Sequence, residues 1–180
     1  MSYYLSIGIS GSGKTSYYKT IQSKVQNCIL LSKDDIRKEL TGNVSNLRRE
    51  DEVEKIFLQR LDAYSKNKAQ SIYVCNTNLS EKYLRQVVEV LSKNHKDQPI
   101  QLHIFLFMDS YKPSLCKERV KKDLDNGEER SNTLVPCNSC ETVIDWQFEK
   151  FTKFVTSNLF QTIEKLQKEF SPIHIDVFPT

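Results

Sequence analysis

Gly8-Ile-Ser-Gly-Ser-Gly-Lys-Thr15 is the stretch on which the fold turns. A glycine, four residues and then Gly13-Lys14-Thr15 satisfy the phosphate-loop pattern G-x-x-x-x-G-K-[ST] in full. Glycines let the backbone curl into a nest, so that the segment Gly11, Ser12, Gly13, Lys14, Thr15 and Ser16 can wrap one anion. A helix starting at the end of the loop adds its positive N-terminal end. In that setting Lys14 reaches the β- and γ-phosphates of ATP or another nucleoside triphosphate, and the Thr15 hydroxyl ligates Mg²⁺. The flanks agree. Residues 4–9 form an apolar, β-rich run, and residues 16–21 can continue as a helix. Strand, loop and helix in that order mark a nucleotide-binding loop rather than a chance glycine turn.

The surrounding 180 residues are 38% hydrophobic and 27% charged, as in an ordinary water-soluble domain long enough for one core. No run approaches the roughly 18 apolar residues of a membrane span. The first residues show no basic segment leading into an apolar one, which predicts an intracellular, cytoplasmic protein with no membrane attachment. Five cysteines in irregular spacing fit a reducing compartment better than a disulfide framework. Cys137-Asn-Ser-Cys140 is one C-x-x-C pair; a zinc site needs about four ligands, and Cys116, His103 and His174 are not grouped with it. A net charge of +3 is too slight to imply a polyanionic partner by itself.

Periodicity predicts an alternation of strands and helices. Further strands are expected at 28–31, 71–75, 101–108 and 173–178, the fourth apolar on both faces near its end as a central parallel strand must be. Helices are expected at 14–25, from Asp34-Asp35 to Leu40, at 46–67, after Ser80, at 110–125 and across 143–170, the last as one long helix or two. Residues 94–99 read as a loop. The fold expected is an α/β, doubly wound, mainly parallel five-stranded sheet, one domain over 1–180, with ligands at the carboxyl ends of its strands.

Each strand end then becomes a candidate site. After the second strand, Lys33-Asp34-Asp35-Ile36-Arg37 offers a carboxylate to take a proton from an incoming hydroxyl and an arginine to fork onto a phosphate. Equally, Asp34 or Asp35 can serve only to cap the helix. Asn76-Thr77-Asn78 after the third strand can hold a phosphate or form a turn. After the fourth strand, Arg119 and Arg130 stand in a basic segment, about 110–136, suited to a lid over transferring phosphate, or to a solvated helix face. Tyr17 and Tyr18 can stack on a base or pack in the core.

In combination, these motifs resemble the 5′-kinase domain of bacteriophage polynucleotide kinase, within the P-loop kinases. The resemblance rests on the loop, on Asp34-Asp35-x-Arg37, on Thr77-Asn78-Leu-Ser and on Arg130-Ser-Asn-Thr-Leu-Val-Pro136, in the same order along the chain. It implies an ATP- and Mg²⁺-dependent kinase acting on the 5′-hydroxyl end of DNA or RNA. By position, Asp34 matches the general base, Arg37 the arginine on the acceptor's 3′-phosphate side, and Thr77 and Asn78 the acceptor segment. Arg130, and less securely Arg119, match lid arginines on the donor phosphates. One departure is Asn76, where the family commonly has Asp; it leaves the metal to Thr15, the nucleotide and Asp34. Nothing after Pro136 reads as a second catalytic domain, so an end-healing kinase of this form works beside a separate phosphatase or ligase. The resemblance is compatible with a phage-encoded protein acting in the host cytoplasm.

A nucleic-acid acceptor needs a basic channel, for which Arg37, Lys38, Arg48 and Arg49 are the candidates. Two other readings share the same residues. One is a kinase for a modified base in DNA, a nucleoside or a small metabolite; the other is a nucleotide- or nucleic-acid-binding module without catalysis.

Overall fold

All five strands of the sheet run parallel, in the order β2-β3-β1-β4-β5. The computed structural model describes residues 2–67, 69–96 and 98–180; Asp97, in the loop expected over 94–99, lies outside them. The strands are β1 (Ser2–Ile7), β2 (Cys28–Leu31), β3 (Ser71–Val74), β4 (Ile100–Leu106) and β5 (Ile173–Pro179). Between them lie α1 (Lys14–Lys24), α2 (Lys33–Thr41), α3 (Glu50–Ser65), α4 (Glu81–Asn94), α5 (Pro113–Asp125), α6 (Val143–Ser157) and α7 (Leu159–Glu169). From β1 the chain runs out to β2, returns to β3, and then crosses β1 to reach β4. That reversal of winding opens a crevice over the carboxyl end of β1, where the phosphate loop begins.

Strand alternation divides the core in two. Tyr3, Leu5 and Ile7 of β1 point into a large cluster with Val53, Phe57 and Leu61 of α3 and Leu84, Val87, Val88 and Leu91 of α4. Phe151 and Phe154 of α6 and Leu159, Ile163 and Leu166 of α7 extend the same cluster. On the opposite face, Ile21 of α1 joins Tyr73, Cys75, Phe105 and Phe107. Tyr17 meets Phe105 edge-on at 4.9 Å between centroids, and Tyr18 lies 5.6 Å from Tyr73 while its hydroxyl donates to the Cys28 carbonyl. Both tyrosines thus serve packing.

Some boundaries depart from the sequence reading for local reasons. β1 stops at Ile7 because the next two amides leave the sheet: Gly8 donates to the Thr77 carbonyl and Ile9 to the Ser110 hydroxyl. β4 stops at Leu106, and a 3₁₀ turn at Met108–Tyr111 precedes α5, which begins at Pro113, where a missing N–H costs nothing. The span 143–170 is two helices, broken at Asn158. Ser80 holds the N-cap position of α4 without a side-chain cap bond, whereas Thr142 and Asp145 form a full capping box on α6.

Phe151 of α6 is fully buried in the main cluster and meets Tyr111 of the 3₁₀ turn edge-on at 5.0 Å. Phe151→Ala should cost about 3–5 kcal/mol, read in urea as a lower midpoint at unchanged slope. A loss below about 1 kcal/mol would mean that α6 is not part of the main core.

Candidate active site

Three consecutive amides fix the entrance of the phosphate loop to three different elements. Gly8 N–H donates to the Thr77 carbonyl beyond β3 at 3.2 Å, Ile9 N–H to the Ser110 hydroxyl beyond β4 at 3.1 Å, and Ser10 N–H to Gln147 Oε1 of α6 at 2.8 Å. Gly11 and Gly13 follow with φ of +78° and +97°, in the left-handed region that glycine enters without strain. At Gly11 a Cβ would also lie 2.3 Å from the carbonyl oxygen of Cys116 on α5, so the loop and α5 touch backbone to backbone. The loop runs directly into the N-terminus of α1 at Lys14, an end that favours an anion.

Lys14 donates to the Ile9 carbonyl at 2.6 Å, drawing its ammonium into the loop. Burial pulls its pKa below the usual lysine value, the Asp34 carboxylate opposes that shift, and Arg130 adds to it. Lys14, Asp34 and Arg130, distant in sequence, line the same cleft. Thr15 is exposed at the loop mouth, its hydroxyl 3.8 Å from Cys75 Sγ, and burial pushes the Cys75 thiol up.

Asp34 faces the loop from the start of α2. Capping falls to Ser32, whose hydroxyl accepts from the Asp34 and Asp35 amides, which leaves the Asp34 carboxylate for tertiary contacts. Its Oδ1 accepts from Arg37 Nη1 at 2.5 Å and from the Ser131 hydroxyl at 3.1 Å. Asp35 differs: partial burial and the adjacent Asp34 and Glu39 carboxylates raise its pKa.

Arg37 is not an open phosphate reader here. Only 6% exposed, it meets Glu50 of α3 through Nε at 2.6 Å and Nη2 at 3.0 Å, and the Val44 carbonyl through Nη1 at 3.1 Å. With Asp34, these contacts make it a strut joining α2, α3 and the turn at Val44. Asn78 is likewise turned inward, donating to the Ser6 carbonyl at 2.7 Å from a left-handed backbone. Thr77 supplies its carbonyl to Gly8. Asn76 accepts the Lys33 amide through Oδ1, which ties β3 to α2, and its buried Nδ2 has no partner among the described residues.

Beyond α5 the chain passes over the cleft as a strap. Glu129 pairs with Lys38, the Ser131 hydroxyl reaches Asp34 and the Val44 carbonyl, and the Asn132 amide donates to the Ser45 hydroxyl at 2.9 Å. Arg130 pairs with Asp123 at 2.5 Å, while Arg119 pairs with Asp109 at 2.8 Å and donates to the Gly11 carbonyl at 3.3 Å. The cleft beneath encloses about 1680 Å³, more than one drug-sized ligand needs. Its charged lining is balanced, with seven Lys or Arg against seven Asp or Glu. The expected basic channel is therefore largely neutralised in place: Arg37 by Glu50 and Asp34, Lys38 by Glu129, and Arg49 by Glu52. Among the described residues no group of three or more His, Cys, Asp or Glu is placed to hold a metal ion, around Cys137 and Cys140 or elsewhere.

Gln147, Ser110, Glu50 and Ser131 escaped the sequence reading. Gln147 carried a signal, being a buried polar residue on a stripe otherwise built from Ile144, Phe148, Phe151 and Phe154.

Sheet, loop and crevice define a P-loop, kinase-like nucleotide-binding fold. A family described as an AAA domain matches residues 4–136, and the chain belongs to it. A comparison with curated proteins found no match. Among solved structures, one from the PezAT chromosomal toxin–antitoxin system of Streptococcus pneumoniae aligns with a TM-score of 0.57 at 17% identity, covering 97% of this chain and 67% of that one. Kti12 of Chaetomium thermophilum, in complex with ADP-AlF3, aligns at 0.50 and 12% identity, covering 98% and 89%. A gluconokinase from Sinorhizobium meliloti aligns at 0.49 and 15%, covering 94% and 93%. At such identities the likeness concerns the fold alone. No helix among the described residues is long and apolar enough to cross a membrane.

Glu50 is half-exposed, yet it carries two of the bonds to the nearly buried Arg37 guanidinium. Glu50→Ala should therefore cost about 1–3 kcal/mol in chemical denaturation, since it leaves Nε and Nη2 of a buried guanidinium without their acceptor. An unchanged midpoint would show that the strut carries no stability.

Proposed function

We propose that the protein is a phosphotransferase that moves the γ-phosphate of ATP, or another nucleoside triphosphate, to the 5′-hydroxyl end of DNA or RNA. The observation that carries this reading is the Asp34 carboxylate. It lines the same cleft as Lys14, is oriented by a buried arginine, and already accepts a hydrogen bond from a hydroxyl. A base of this kind takes the acceptor's proton as its oxygen attacks phosphorus.

The other residues would position and neutralise. Lys14 exchanges the Ile9 carbonyl for the β/γ-phosphate oxygens, and Arg130 and Arg119 exchange Asp123 and Asp109 for the transferring group. Arg37 acts through Asp34, holding its carboxylate toward the loop. The donor set suits Mg²⁺, which keeps water and phosphate oxygens as most of its ligands and needs few from protein; Thr15 would supply its hydroxyl. When bound, the ion neutralises charge on the phosphates. Asn76 supplies no acid there, and its unpartnered Nδ2 calls for an acceptor, which a phosphate oxygen or water would meet.

One observation favours a second acceptor class. The balanced charge of the cleft suits a nucleoside, a modified base or a small metabolite bearing a hydroxyl better than a long polyanion.

Label transfer from γ-labelled ATP to a 5′-hydroxyl oligonucleotide, a free nucleoside and a duplex with hydroxymethylated bases tests both readings. The oligonucleotide should be the preferred acceptor, and preference for the nucleoside would transfer the assignment to the second class. Asp34→Ala should lower the rate by roughly 10²–10⁴-fold while retaining ATP binding. Transfer at the full rate by that variant would overturn the role of Asp34.

A further inference from the structure

The strap presents a hydroxyl of its own to the base. Ser131 Oγ lies 3.1 Å from Asp34 Oδ1 and 3.1 Å from the Val44 carbonyl, so its single proton is shared between two acceptors. A nucleophile within about 2.6–3.2 Å of its base is the pairing expected of an activated hydroxyl. Arg130 and Ser131 line the same cleft as the phosphate-loop residues Gly13, Lys14 and Thr15, which sets this part of the strap over the loop. Asn132, the residue after Ser131, is pinned to Ser45, so the hydroxyl is held from both sides.

We infer that Ser131 is an internal acceptor: with nucleoside triphosphate bound and no other acceptor present, the protein phosphorylates its own Ser131. This rests on the phosphotransferase reading above, with Asp34 as base. The Ser131 Oγ–H proton passes to Asp34, Oγ bonds to the γ-phosphorus, the bond from that phosphorus to the β,γ-bridging oxygen breaks, and nucleoside diphosphate leaves. The product carries a phosphate of charge about −1.5 to −2 beside Asp34, where like charges repel. The strap contact is lost and the modified chain takes no second phosphate at this position. Ser131 thus occupies the place of an external acceptor hydroxyl and competes with it.

The test uses the full chain with Mg²⁺ and γ-labelled ATP, first without acceptor and then with a 5′-hydroxyl oligonucleotide, followed by peptide mapping. One phosphoryl group per chain is expected on Ser131, at a rate per molecule independent of protein concentration and suppressed by the oligonucleotide. Ser131→Ala should lose the label, and Ser131→Thr, which keeps a hydroxyl, should take it at the same position. An unlabelled Ser131 in a protein that phosphorylates the oligonucleotide overturns the inference and leaves the kinase reading standing. Label at Ser131 with no external acceptor phosphorylated supports the inference and overturns only the nucleic-acid acceptor. No transfer to either overturns both.

Discussion

Three consecutive amides at Gly8, Ile9 and Ser10 leave the central strand and find partners on three different elements. A buried N–H without a partner costs about 1–3 kcal/mol, so this pattern ties the loop's shape to the ends of β3 and β4 and to α6 at once. Left-handed glycines follow, and the Cys116 carbonyl leaves no room for a side chain at Gly11. The anion nest is therefore a tertiary structure rather than a local turn. Its last anchor, Gln147, lies outside residues 4–136, the part of the chain that matches the family.

The acceptor side obeys a different constraint. Four of the cations there are held by carboxylates: Arg37 by Asp34 and Glu50, Lys38 by Glu129, Arg130 by Asp123 and Arg119 by Asp109. Phosphates entering the cleft must compete with these partners. Half-exposed pairs such as Lys38–Glu129 are weak and exchange readily, whereas the Arg37 strut is buried and does not. The charge that moves belongs to the strap and α5; the charge that stays orients Asp34.

Local signals carried the architecture and the nucleotide-binding loop. The loop's spacing, the alternation of apolar strands with amphipathic helices, and Asp34 at a strand end are all written within short windows of sequence. Pairings across the chain are not. Nothing near Arg37 says that Glu50, a helix away, will claim it, and nothing in 128–133 says that Ser131 will cross to α2. Asn78 reads as an acceptor contact until its left-handed backbone turns the amide toward Ser6. β1 ends at Ile7 for the same reason: Gly8 and Ile9 are apolar and extended in pattern, but their amides bond to a turn and a hydroxyl rather than to a neighbouring strand.

The central claim is that Asp34 and the phosphate loop face one another across a single transfer site. A crystal structure with a non-hydrolysable nucleoside triphosphate and an acceptor oligonucleotide measures it most directly. The account predicts the γ-phosphate within the Gly8–Thr15 loop and the terminal 5′-hydroxyl about 2.6–3.2 Å from the Asp34 carboxylate, with Ser131 displaced. A 5′-hydroxyl seated away from Asp34, with the Ser131 contact intact, would contradict it.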